Sequence, residues 1–363
     1  MDAAEPSGSE PTLTTSGATV APTGERELTD PVDLCDDRGW LNPAACGWSR
    51  RPLHRTNLSG RWGRTKRWDY WAVLSRTHAV SITYADVDYL GIADVWWADL
   101  RSGRTGGRHR AVPGAAGLHL PDRFGTEPLR YRSRTLDLDL VDDAAGTHLT
   151  ARWVEPDGTR SSLEVLVELP EGHESLNVVI PWAASTFQYT SKHQARPARG
   201  VLRVGEERIV LGGDGEDAAW GVLDVGRGRW PYRTRWNWGA GTGTAETGEV
   251  VGIQVGGRWT EGTGFTENGV IVDGRLHKLG RELRWNYDWR RPMHPWQVRD
   301  PDGRLDLRLV PRLDKYSRIE LGVLGTEVHQ VFGTWTGTVV ADDGRVLSVP
   351  RAVGFAEESR SRW

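Results

Sequence analysis

The chain has 363 residues, and its 46 Lys and Arg against 49 Asp and Glu give a formal net charge of -3. So even a balance sets up no field that would draw the molecule to phosphate backbones, which argues against a nucleic-acid partner. No run of the roughly 18 apolar residues needed for a membrane span occurs, and the length exceeds what one hydrophobic core usually serves, which predicts two packed units of about 150 residues each.

Met1 to Glu25 is made of Ser, Thr, Pro, Ala and acidic residues, with neither the basic start nor the apolar stretch of a secretory signal. Residues 1–28 are therefore expected as a disordered tail of a cytoplasmic protein. Cys35 and Cys46 are too few for a disulfide framework, so a reduced pair is expected. The Asn57-Leu58-Ser59 sequon is then incidental. Leu34 to Arg55 has room for a short helix before the first strand.

From about Trp68 onward period-two patterns dominate. Leu136, Leu138 and Leu140 face one way and Asp137 and Asp139 the other. Leu163, Val165, Val167 and Leu169 repeat the pattern, as do Leu305, Leu307 and Leu309, and these segments read as half-buried strands. Asp157-Gly158, Asp214-Gly215, Asp273-Gly274, Asp302-Gly303 and Asp343-Gly344, helped by Asn268-Gly269, supply hairpin turns between them. Crossover helices are not visible, so up-and-down antiparallel hairpins are the expected topology. Ser191 to Gly200 combines Pro, Gly and basic residues and reads as a connector, dividing a first unit, 29–190, from a second, 191–363.

Nineteen tryptophans are the unusual count. A Trp needs an apolar bed and a partner for its indole N–H, so two readings stand: core filling between wide sheets, or an aromatic wall for an apolar or sugar-like ligand. Arg235-Trp-Asn-Trp238 carries both, with Trp236 and Trp238 on one strand face and Arg235 and Asn237 on the other. Trp96-Trp97 is ambiguous in the same way.

Val80, Ile82, Tyr84, Asp86 and Asp88 alternate onto one side, an apolar face that turns acidic at one end. There a carboxyl such as Asp86 is favoured in its neutral form and suited to donate a proton, with Tyr84 beside it and Asp88 toward the ligand. The alternative is a face turned outward, its carboxylates paired with arginines. Glu267, with Asn268 beside it, is a second candidate acid at a strand end, or an exposed residue next to a turn. His329 and Gln330 cannot both point inward, and His329 is either a base near neutral pH or a satisfied structural side chain. Lys192, with His193, is placed to meet an anionic group of a ligand, or is solvated charge in the connector. No phosphate loop, zinc-spaced Cys and His cluster or Gly-x-Ser-x-Gly elbow occurs, so no cofactor and no metal are expected. Gly239-Ala-Gly-Thr-Gly243 reads as a flexible turn.

The residues Gly60-Arg-Trp-Gly, Trp68-Asp-Tyr-Trp71, Tyr89-Leu-Gly91, Tyr189-Thr-Ser-Lys192, Arg235-Trp-Asn-Trp238, Glu267-Asn268 and His329-Gln-Val-Phe-Gly333 resemble an uncharacterised bacterial domain-of-unknown-function family, from about Leu28 to Glu357. More distantly, the tandem all-β, Trp-rich pattern is similar to lipocalin-like double barrels, among them carotenoid hydratases, tocopherol cyclase and certain pericyclases. That likeness implies an all-β fold of two adjoining antiparallel calycin-type barrels or strongly curved sheets, very little helix, an apolar ligand and no redox cofactor.

Three functional readings follow. The leading one is a cofactor-independent hydratase, isomerase or cyclase, with Asp86 or Glu267 as the acid and Tyr84, Trp236 and Trp238 around the cationic intermediate. The second is a noncatalytic carrier using the same pocket. The third is carbohydrate binding or glycoside cleavage, which needs two carboxyls at about 5 to 9 Å.

Overall fold

In this computed structural model residues 24–362 are described. Three short strands come first: β1 (Val32–Asp33), β2 (Trp48–Ser49) and β3 (His54–Arg55), with one 3-10 turn, Pro43–Ala45, where the sequence leaves room for a helix. Then follow β4 (Thr65–Ser75), β5 (His78–Asp86), β6 (Leu90–Asp99), β7 (Thr105–Pro113), β8 (Leu129–Arg132), β9 (Leu136–Asp143), β10 (Gly146–Val154), β11 (Arg160–Glu168), β12 (Leu176–Ala183), β13 (Thr186–Val204), β14 (Glu207–Leu211) and β15 (Ala219–Arg229). Their sheet runs β7-β6-β5-β4-β15-β13-β11-β10-β9-β8, with β12 and β14 also paired to β13 and β2 paired to β12.

The second sheet is built from β16 (Arg233–Thr244), β17 (Val250–Gly257), β18 (Asn268–Val272), β19 (Arg275–Leu279), β20 (Arg284–Asn286), β21 (Trp296–Arg299), β22 (Leu305–Leu321), β23 (Leu324–Val340) and β24 (Val346–Arg362). It runs β19-β18-β17-β16-β24-β23-β22-β21-β20. The fold is all-β, two curved antiparallel sheets beside a small parallel pairing of β1 with β3, with only two 3-10 turns as helix among the described residues. No helix among them is long and apolar enough to cross a membrane.

Each sheet curls around its own core and packs on the other with its opposite face, so both faces of the central strands are covered. The first core holds Leu136, Leu138 and Leu140 with Leu163, Val165, Val167, Trp71 and Trp153. The second holds Leu305, Leu307 and Leu309 with Trp296 and Trp335. The period-two residues within these strands thus point inward as their spacing predicts, whereas Leu169, read in the same alternation, lies just past β11 and is exposed. Between the sheets, Ala72, Leu74 and Val222 of the first meet Trp238, Phe332 and Phe355 of the second.

Asp273-Gly274 is the primed turn its sequence predicts: both residues have positive φ, +47° and +82°, and they join β18 to β19. Asn268-Gly269 is not a turn. It opens β18, where Asn268 accepts from the Gly256 N–H at 2.6 Å and donates to the Arg281 carbonyl at 3.0 Å. Gly239 to Gly243, read as a flexible turn, lies within β16, and a Cβ on Gly241 would stand 2.8 Å from the Trp335 ring. The glycines there make room for a large side chain rather than for motion.

The supposed connector Ser191 to Gly200 is the middle of β13, paired on both sides, and the change of sheet falls at residues 230–232, between β15 and β16. Lys192 misled because its charge is met by carboxylates inside the protein rather than by water, whereas Arg199 is exposed as a connector residue would be. Of the expected tail, residues 1–23 lie outside the described residues. Arg26 and Leu28 are hydrogen-bonded to Trp48, and the Glu25 carboxylate is buried against Lys278 at 2.9 Å, so the chain is already fixed there. The Asn57 side chain clasps the Cys35 backbone in both directions, at 2.9 and 3.0 Å. Both cysteines are free, and burial pushes the Cys35 thiol up to about 11.

Candidate functional site

The faces on which the two sheets meet are not uniformly apolar. On β13, alternation sends Thr190, Lys192 and Gln194 toward the second sheet, and Lys192 is directly opposite Asp224 of β15. The Lys192 ammonium lies 2.8 Å from Asp224 and 3.1 Å from Glu267, which stands one residue before β18 in the other sheet. All three side chains are at least nine-tenths buried. Lys192 keeps its charge because the two carboxylates outweigh its loss of water. Burial pushes the Glu267 carboxyl up, against the pull of Lys192.

Indole N–H groups hold the carboxylates. Trp68 donates to Asp224 at 3.0 Å, Trp259 to Glu267 at 2.6 Å and Trp236 to Glu357 at 2.8 Å. The rings themselves form a cluster around Trp230, whose centroid is 5.2 Å from Trp259, 5.0 Å from Trp182, 5.7 Å from Trp236 and 5.8 Å from Trp68. A closed circuit results: Trp230, Trp259, Glu267, Lys192, Asp224, Trp68 and back to Trp230. Glycine makes it fit, since a Cβ on Gly226 would overlap the Trp68 ring and one on Gly256 would overlap the Glu267 side chain. Trp68, Trp182 and Trp236 are half-buried, and the cluster meets solvent through them.

Glu357 sits in β24 directly opposite Trp238 on one side and Gln330 on the other. It is buried with no cation in direct contact among the described residues, and burial pushes its carboxyl up to about 7, with Trp236, Lys192 and Lys315 pulling the other way. Lys315 reaches across to Ser81 at 2.9 Å and lies over the Trp96 ring. Tyr70 donates to Gln330 at 3.2 Å, Gln194 to Gln254 at 2.9 Å, and Trp238 to Gln254 at 3.1 Å. The Lys192 ammonium stands 4.4 Å from the Trp238 ring centroid. The sheets are therefore joined by buried polar bonds as well as by apolar contact.

Of the residues singled out in the sequence, Glu267, Lys192, Trp236 and Trp238 come together in this seam. The others do not. Tyr84 is buried in the first sheet's own core, donating to the Arg130 carbonyl at 3.2 Å and accepting from the His119 N–H at 3.0 Å. Asp86 is half-buried and 3.7 Å from Arg67, the arginine pairing that the alternation left open. Asp88, at φ +69°, accepts from the Gly63 and Thr65 N–H groups and so fastens a turn. His329 faces away from the seam that Gln330 enters, bonded to Asp314 at 2.7 Å with its ring against Trp289. Asn237 lies on the second sheet's inner face, donating to Tyr287 at 2.9 Å.

The residues that sequence reasoning missed are Asp224, Glu357 and the Trp68, Trp230 and Trp259 rings. A signal existed for two of them: Asp224 is the one carboxylate in Ala219–Arg229, set between the apolar residues Leu223 and Val225, and Glu357 alternates with Phe355. Among the described residues no three His, Cys, Asp or Glu side chains gather as a metal's ligands would.

Two curved antiparallel sheets meeting across a buried, Trp-walled polar seam define the class of this protein. The chain belongs to the family described as Domain of unknown function (DUF2804), which matches residues 25–363. No curated protein matches the sequence. Among solved structures it is similar to kievitone hydratase from Nectria haematococca, at 9% identity and a TM-score of 0.49 over 81% of this chain and 88% of that one. It is similar to a Nitrosomonas europaea protein assigned as AttH, at 13% and 0.48 over 82% and 92%. It is also similar to CghA with Sch210972, at 12% and 0.44 over 83% and 89%.

Proposed function

We propose that the seam is the active site of a cofactor-independent enzyme that protonates a small apolar substrate, in the manner of a hydratase, isomerase or cyclase. The observation that carries this reading is the unequal setting of the buried carboxylates. Asp224 and Glu267 share Lys192, whereas Glu357 has an indole N–H and no direct cation. Environments that drive like groups apart in this way sort acids from bases.

Glu357 is the proton donor in this reading. Protonation of an olefin or epoxide leaves a cationic carbon, which the faces of Trp236 and Trp230 stabilise. Water, or a nucleophile within the substrate, then captures that carbon. The proton released in the capture passes to a carboxylate of the seam. Lys192 holds Asp224 and Glu267 in place for that role, at 2.8 and 3.1 Å.

A carrier for an apolar metabolite would use the same rings without the acid. The two readings part on Glu357→Gln, which removes the donated proton and leaves the shape nearly unchanged. An enzyme loses turnover by about 10²- to 10⁴-fold while retaining affinity; a carrier converts nothing and binds as before.

A further inference from the structure

β22 is longer than the strand that covers its outer edge. β21 pairs with residues 306–309 alone, whereas β23 pairs with β22 as far as Leu321. From Val310 onward, therefore, the outer edge of β22 has no ladder partner among the described residues. Pro311 and the register shift before Leu313 blunt the first part of that edge, as proline and bulges do elsewhere. Beyond the shift nothing blunts it. Residues 313–321 pair with β23 in unbroken register, and residues 316–320 are all exposed. Tyr316 and Ile319, on opposite faces of the strand, are 49% and 46% accessible. The end of this hairpin is thus a regular, uncovered strand, and such an edge presents unpaired N–H and C=O groups to another strand.

We propose that this edge pairs with the same edge of a second copy of the chain, antiparallel about a two-fold axis, joining the second sheets of the two copies into one. The sequence chooses the register. Directly opposed residues of an antiparallel ladder lie on one face, so the axis must fall on a residue. On Tyr316 it sets Asp314 opposite Arg318 of the other copy, Leu313 opposite Ile319 and Lys315 opposite Ser317. On Asp314, Lys315 or Arg318 it would oppose that residue to its own like charge, and on Ser317 it would oppose Asp314 to Glu320. Of these five registers only the one about Tyr316 is free of like-charge pairs, and it matches apolar with apolar. Asp314 also meets His329 at 2.7 Å, so the charges select the register while the free backbone groups supply the pairing.

The test is sedimentation velocity of the full chain over a concentration series, which reads mass and needs no substrate, so its failure leaves the catalytic reading untouched. The wild type should behave as a reversible dimer. Tyr316 lies on the axis and faces its own copy, so Tyr316→Lys and Tyr316→Glu each oppose like charges there, and each alone should dissociate several-fold more readily. Mixed in equal amounts, the two variants should recover the dimer, because Lys then faces Glu. A substitution that merely disturbed the hairpin would not be rescued by mixing. A wild type that is monomeric at every concentration overturns the proposal. So do variants that dimerise as tightly as the wild type, or a mixture no tighter than either variant alone.

Discussion

The Lys192 ammonium, carried by the first sheet, meets the Glu267 carboxylate of the second at 3.1 Å, with Asp224 at 2.8 Å on its other side. One cation thus joins two carboxylates and two sheets. Lys192→Met would leave both carboxylates buried without it and should cost about 3 to 5 kcal/mol in urea unfolding. Adding Glu267→Gln to that variant should recover part of the loss. Additive losses would mean that the two residues do not interact across the seam.

Glu357 predicts a pH dependence of definite sign. Its folded-state value, raised to about 7 from an ordinary 4.5, means that the folded protein binds the proton more tightly than the unfolded chain. The stabilising contribution is complete below pH 4.5 and is lost as pH rises through 7. His54 acts oppositely: burial lowers it to about 4, so its contribution is lost as pH falls below 6.5. Subtracting the profile of Glu357→Gln isolates the first effect. The wild-type thermal midpoint should fall relative to the variant's between pH 5 and 8, and parallel profiles would contradict the assignment.

Much of the architecture was legible in the residues, and the reason is local. Leu136, Leu138 and Leu140 need only the period of a strand to turn inward together, and Asp273-Gly274 needs only its own backbone preferences to make the turn. Lys192 shows where such reasoning stops. A basic residue shortly before Pro197 and Gly200 reads as solvated until Asp224 and Glu267, distant in sequence, are placed beside it. Asp86 fails for the converse reason: alternation gives a strand face but not the neighbour, and here the neighbour is Arg67. The Trp cluster was legible as a count and not as a place, because five rings from distant strands and loops meet only when the sheets do.

Asp86→Asn should accordingly change little. Its arginine contact is partly exposed, with side chains 22% and 19% accessible for Asp86 and Arg67, and such pairs contribute at most about 1 kcal/mol. A larger loss of stability, or any loss of turnover in an assay where Glu357→Gln retains it, would return Asp86 to the position its sequence pattern gave it.

Gly256→Ala tests the packing of the seam without altering a charge. The added methyl would overlap the Glu267 side chain, so the carboxylate must move or the sheets must part. Overpacking of this kind costs about 1 to 3 kcal/mol. Denaturant titration should show that loss, and an unchanged midpoint would mean that Glu267 has another position open to it.

The Cys35 thiol, raised to about 11 by burial, should resist a disulfide reagent at pH 8 in the folded protein and react once it is unfolded. Prompt labelling of the native chain would contradict the burial of that residue beside Leu34 and Val179.

Whether Glu357 protonates a molecule held against the seam's tryptophans can be measured on whatever small molecule copurifies with the protein from its own host. That molecule, or its dehydrated or uncyclised counterpart, would be incubated with wild type and with Glu357→Gln, and the products followed by mass spectrometry. The wild type should convert it, with addition of water or to an isomeric product, and the variant should bind it equally well but be slower by about 10² or more. Equal rates from the two proteins would contradict that role for Glu357, and so would tight binding by both with no conversion by either.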